Sequence, residues 1–103
     1  MLVDTNVLVR LVTKHPPGMF EGARRYLQEA ERRGEKLAVH PVHVTEALFV
    51  LEGKVYSLQP EQAASELRQL LTMEVLEVDD GPAVLEALRR YPLSGLDFPD
   101  VLI

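Results

Sequence analysis

The stretch that most constrains the fold is Leu2-Val3-Asp4-Thr5-Asn6-Val7-Leu8-Val9-Arg10, an apolar run broken near its start by a carboxylate and an amide. Met1 to Val3 is too short for a helix, and its apolar, β-branched character suits a strand buried on both faces. Asp4 then sits at the carboxyl end of that strand. Ligands of open parallel α/β sheets bind in the crevice outside such ends, so the position suits chemistry. A second reading stands beside it: Asp4 or Asn6 caps a helix begun by Val7, Leu8, Leu11 and Val12. This stretch alone does not separate the two.

Further along, Pro16, Pro17 and Gly18 punctuate the chain, and Phe20, Ala23, Leu27 and Ala30 recur at helical spacing. The spacing predicts a second helix over about Met19 to Arg33. Glu21, Arg25, Glu29 and Arg33 follow one another at four-residue steps, as on a solvated helix face, and that reading of its arginines outweighs nucleic-acid contact. Gly34 is a helix stop, and Lys36 to His40 reads as a second strand closing a βαβ unit. Pro41 opens a third, largely buried helix running to Gly53.

Glu46 interrupts that helix. Burying it ionised costs several kcal/mol, so it must reach solvent, a cation or a metal. His43, three residues earlier, shares its face, where its spacing suits a hydrogen bond rather than ligation because no second histidine stands at zinc-site spacing. Pro60 opens a fourth helix with Ala63, Ala64, Leu67, Leu70 and Leu71 as its core stripe, and Glu74 to Val78 reads as a third strand. Asp79 and Asp80 cap a fifth helix with Pro82 just inside it, broken by Pro92, Ser94 and Gly95. Asp97 to Ile103 begins another apolar helix. It amounts to scarcely one turn, so the sequence reads as a domain lacking its last elements.

Asp97 and Asp100 suit a cap and an early acid of that last helix, worth about 1 kcal/mol. Yet Asp4, Glu46 and Asp100 are each an acid set against apolar sequence at an element's end or in its midst. If these elements converge, two carboxylates about 4 Å apart repel by roughly 4 kcal/mol at an effective dielectric near 20. A cation or protonation relieves this, and an oxygen-only donor set selects Mg²⁺ or Mn²⁺.

Composition narrows the function classes. A chain of 103 residues is one domain that buries roughly 60–65% of its unfolded surface. The net charge of -5 excludes coating of nucleic acid through global charge but leaves room for a local basic surface. The absence of cysteine fits a reducing cytoplasm, and no apolar run reaches the roughly 20 residues of a membrane span.

Three segments, Leu2 to Leu8, Val44 to Leu51 and Gly95 to Ile103, together resemble the PIN domain family and, within it, the VapC-like toxins of toxin-antitoxin pairs. The resemblance spans the chain. It implies a three-layer α/β/α fold with a central parallel sheet, and an acidic cluster that binds Mg²⁺ or Mn²⁺ to hydrolyse RNA phosphodiester bonds. By position, Asp4, Glu46 and Asp100 match three acids of that site, and Asp97 matches an acid often found beside the third. The family continues past the third motif into a strand and helix with a further aspartate, which this sequence lacks; that bears on the activity of the chain as it stands. Thr5 and Asn6 are expected to orient Asp4 through hydrogen bonds, and Arg10 to meet a substrate phosphate. The partners expected are RNA, a cognate antitoxin and a second copy of the chain.

Two other classes compete. A PIN-like module could act through partner binding without catalysis. Phosphoryl transfer through an aspartyl-phosphate also starts from an aspartate after a first strand, but Asp4-Thr5-Asn6 has no second acid two residues on.

Overall fold

Helices dominate because prolines and acids start them at regular intervals. The computed structural model describes residues 2–103; Met1, the first residue of the expected first strand, lies outside them. The elements in order are α1 (Thr5–Thr13), α2 (Pro17–Arg32), β1 (Leu37–Val39), α3 (Pro41–Glu52), α4 (Pro60–Leu71), β2 (Leu76–Val78), α5 (Gly81–Ser94) and α6 (Phe98–Leu102). Proline occupies one of the first two positions of α2, α3, α4, α5 and α6, where its missing N–H costs nothing and its fixed φ is already helical. That preference starts α2 at Pro17 rather than Met19.

β1 and β2 pair in parallel, with Leu37, Ala38 and Val39 opposite Leu76, Glu77 and Val78. On the other side of β1, Leu2 makes an isolated parallel bridge with Ala38, and the Val3 N–H donates to the Ala38 carbonyl at 2.8 Å. The sheet is therefore smaller than the central sheet expected from the sequence, two strands of three residues and a single bridge. Its length is set by the chain: a helix starts at Pro41 directly after the β1 segment, and Asp79 and Asp80 end the β2 segment before α5.

Val3, Leu8, Leu37, Val39, Val44, Leu48, Leu51, Leu67, Val84 and Leu88 fill one core to which α1, α3, α4, α5 and both strands contribute. Among the described residues no polar or charged side chain is buried, so every candidate acid stands at the surface. On the outer face of α2, Glu21 pairs with Arg24 and Glu29 with Arg32 and Arg33. The contacts run mainly at three-residue rather than four-residue steps. The Arg24 guanidinium holds the Glu21 carboxyl below its ordinary pKa, the mark of a solvated face using its arginines internally.

Three local expectations need correction. Asp80 precedes α5, but its backbone is left-handed and its side chain makes no cap bond. Pro92 does not break α5; it lies inside the last turn, and the helix ends at Gly95, whose φ of 71° is the left-handed conformation that glycine adopts without steric cost. His40, read as a strand-end residue, is the N-cap of α3, its Nδ1 accepting from the Val42 N–H at 3.1 Å.

Candidate functional site

Asp4 is the N-cap of α1: its backbone is extended, and Oδ1 accepts from the Val7 N–H at 3.1 Å. The Leu2 bridge fixes where that helix begins, so the end of the first extended segment and the cap of α1 coincide at one carboxylate. Glu46 projects from the outer face of α3, its side chain 57% exposed, while Val44, Ala47, Leu48 and Leu51 bury the opposite face. An ionised glutamate in an apolar helix thus meets its hydration requirement by facing out.

The packing of α1 on α3 brings the two acids to one open pocket of about 630 Å³, lined by Asp4, Thr5, Asn6, His43, Thr45, Glu46, Phe49 and Val50. His43 joins its two sides. Its Nδ1 lies 3.0 Å from the Thr5 hydroxyl, hydrogen bonded in whichever sense the ring tautomer sets, and 3.6 Å from Glu46 Oε1. Thr5 therefore holds His43 and not Asp4, contrary to the expectation from sequence. Asn6 lines the same pocket, and no hydrogen bond among the described residues links it to Asp4. The signal for His43 was its three-residue spacing from Glu46; its Thr5 partner lies across the fold and left no local trace.

The last helix behaves differently. Phe98 and Val101 are buried, and this sets the rotational phase of α6. Asp100, about 200° around the helix from Phe98, is turned off that face and lines a separate pocket with Arg89, Arg90, Leu93 and Ser94. That pocket shares no residue with the one holding Asp4. Asp97 stands at the N-cap position of α6 without a side-chain cap bond. It lines a third pocket, of about 490 Å³, with Thr45, Phe49, Glu52 and Tyr91, and Thr45 and Phe49 are common to this pocket and to that of Asp4 and Glu46. Of the two aspartates near α6, Asp97 is thus the one whose surroundings adjoin the acidic pair. Arg10 lies in the last turn of α1, one helical turn beyond Asn6 on the same face, and forms no ion pair among the described residues.

The sequence reading missed Glu52 and Tyr91. The Tyr91 hydroxyl donates to Glu52 Oε2 at 2.7 Å, and burial together with this negative acceptor pushes its pKa up to about 12. The pair joins α3 to α5 beside Asp97, and Tyr91 packs edge-on against Phe98. Residues this far apart in the chain leave no periodic signature.

The donor chemistry of the Asp4–Glu46 pocket fits a hard divalent ion. Such ions are held by one or two carboxylates, with water and substrate phosphate completing the shell. The pocket offers two carboxylates, and Asp4 has only one oxygen engaged in its cap bond. Among the described residues no three histidines, cysteines or acids stand close enough to form an all-protein cage.

Over residues 1–103 the chain matches the PIN domain family, and it belongs to that family. PIN domains are generally nucleases and typically use divalent metals. No curated protein and no solved structure matches the chain. No helix among the described residues is long and apolar enough to cross a membrane.

Proposed function

We propose that the chain is a metal-dependent endoribonuclease of the VapC-like kind, hydrolysing RNA phosphodiester bonds in the cytoplasm as the toxin of a toxin-antitoxin pair, with helices layered on both faces of its sheet. The observation that carries this reading is the meeting of Asp4 and Glu46, one from each of the first two segments that resemble the family, in one open pocket.

Asp4 and Glu46 would hold Mg²⁺ or Mn²⁺, with Asp97, in the adjoining pocket, and the family-matched Asp100 as further candidate ligands. The chemistry such an ion would supply there is Lewis acidity, which would lower the pKa of a bound water toward neutrality and offset phosphate charge. The chain's own residues do the rest. The cap bond from the Val7 N–H fixes the Asp4 carboxylate, the Thr5–His43 bond fixes the spacing of α1 and α3, and Arg10 meets a neighbouring phosphate. RNA is the substrate, an antitoxin filling the acidic pocket is the inhibitor, and a homodimer is the working form.

The test is cleavage of single-stranded RNA with Mn²⁺. Asp4→Asn abolishes it and Arg10→Glu weakens RNA binding at low salt; cleavage that survives Asp4→Asn removes the assignment. The exposed apolar side chains of Leu93, Leu96 and Ile103 favour a second reading, a PIN module that binds a partner without catalysis. That reading expects no stabilisation by Mn²⁺ and no cleavage.

A further inference from the structure

Helix α3 is apolar on two faces. Val44, Ala47, Leu48 and Leu51 enter the core, as any amphipathic helix requires. The opposite face carries Val42, Thr45, Glu46, Phe49 and Val50, at steps of one helical turn, and places an acid among exposed apolar side chains. Phe49 is the extreme case: the residue is 82% exposed one turn beyond Glu46, and it forms part of the wall of both the acidic pocket and the neighbouring pocket that contains Asp97. The core does not need this ring, because Leu48 and Leu51 already fill the space beneath α3.

We infer that Phe49 is a stacking platform for a base of single-stranded RNA, the base next to the phosphodiester bond presented to Asp4 and Glu46. This rests on the ribonuclease reading above. The occupant is a base because the ring belongs to the same open pocket as the acids, so a nucleotide whose phosphate reaches them must set its base against a neighbouring wall. The wall one turn along from Glu46 is Phe49 and Val50. A flat π-surface accepts any base, whereas the amide of Asn6, which no hydrogen bond among the described residues engages, can meet the polar edge of what is stacked there. A continuous duplex keeps its bases stacked inward and out of reach of the ring, so the inference also specifies a single-stranded substrate.

The chain contains no tryptophan, so Phe49→Trp introduces a sole indole reporter at the platform. The experiment measures binding of a short fluorescein-labelled single-stranded RNA to the whole chain in Ca²⁺, a hard divalent ion that offsets the charge of the two carboxylates, by anisotropy, for the wild type and for Phe49→Ala, Phe49→Leu and Phe49→Trp. Circular dichroism confirms that each variant folds. Loss of one stacked base weakens binding on the order of tenfold. Phe49→Ala and Phe49→Leu are expected to show that loss, and Phe49→Trp to bind at least as well as the wild type, with its indole emission quenched by single-stranded but not by duplex RNA. Equal binding by the Leu and Trp variants overturns the proposal, since apolar bulk alone would then suffice. So does unchanged RNA binding by Phe49→Ala together with a changed mass in sedimentation, which would make the ring a protein interface. The two failures are distinguishable. If the wild type cleaves RNA with Mn²⁺ and Phe49→Ala binds as tightly, stacking alone is wrong; if the wild type neither binds nor cleaves RNA, the ribonuclease reading falls and stacking with it.

Discussion

Asp4 caps α1 and, on the reading proposed above, would also bind metal; substitution can separate the two, because capping needs an acceptor oxygen whereas metal binding needs charge. The cap bond to the Val7 N–H at 3.1 Å is removed by Asp4→Ala and retained by Asp4→Asn, since asparagine and aspartate cap about equally well. Losing an N-cap costs about 1 kcal/mol, which in a domain of this size lowers Tm by roughly 4–8 °C. Asp4→Ala is therefore expected to melt about that much lower without metal, and Asp4→Asn within about 2 °C of the wild type. Glu46→Gln, at an exposed mid-helix position with no cap role, also melts with the wild type.

Manganese reverses the grouping. A ligand at about 100 times its Kd stabilises the folded state by about 2.7 kcal/mol, so the wild type gains on the order of 10–20 °C. Asp4→Asn and Glu46→Gln each remove one of the two carboxylates and forfeit most of that gain. Differential scanning calorimetry of the four proteins, with and without Mn²⁺, reads both effects in one series. A wild-type-sized Mn²⁺ gain in Asp4→Asn would refute the metal assignment, and an unshifted Tm in Asp4→Ala would refute the cap.

Leu51→Ala, at a fully buried position under α3, is expected to cost about 2–5 kcal/mol, read as a lower urea midpoint at unchanged slope. His43→Ala removes the bond to Thr5 and should weaken Mn²⁺ binding by about 10-fold or more, measured calorimetrically, with His43→Gln restoring part of it. Tyr91 has its pKa raised to about 12 in the folded chain, from about 10 when unfolded. Its contribution is thus fully present below about pH 10 and is lost as pH rises through about 12. Phe in place of Tyr91 should flatten the fall in stability across that window, as followed by urea unfolding at stepped pH.

The sequence showed most clearly those features whose cause is local. Pro41 and Pro60 mark the starts of α3 and α4 to the residue, since a first-turn proline acts through its own φ and its own missing N–H. The Asp4 cap was equally legible as one of two readings, and both bear on the same carboxylate. The size of the sheet was not legible. Apolar runs show where strands can form, but the extent of pairing depends on a partner elsewhere in the chain, and Leu2 finds only a single bridge. The Thr5–His43 and Tyr91–Glu52 bonds escaped for the same reason.

Asp97 and Asp100 show where local reading stops. Hydrophobic periodicity fixes the phase of a helix when several turns agree, as along α2 and α4, but α6 has five residues and its phase rests on Phe98 and Val101 alone. With both buried, the helix turns Asp100 toward Arg89 and Arg90 and leaves Asp97, at its start, beside the pocket wall formed by Thr45 and Phe49. Which aspartate adjoins the Asp4–Glu46 pocket is therefore a matter of how α6 packs against α3 and α5, not of spacing in the chain. Asp97→Asn and Asp100→Asn test this directly: if the packing governs, only the Asp97 variant should lower the Mn²⁺ gain in Tm, and an effect confined to Asp100→Asn would mean that α6 turns when metal binds.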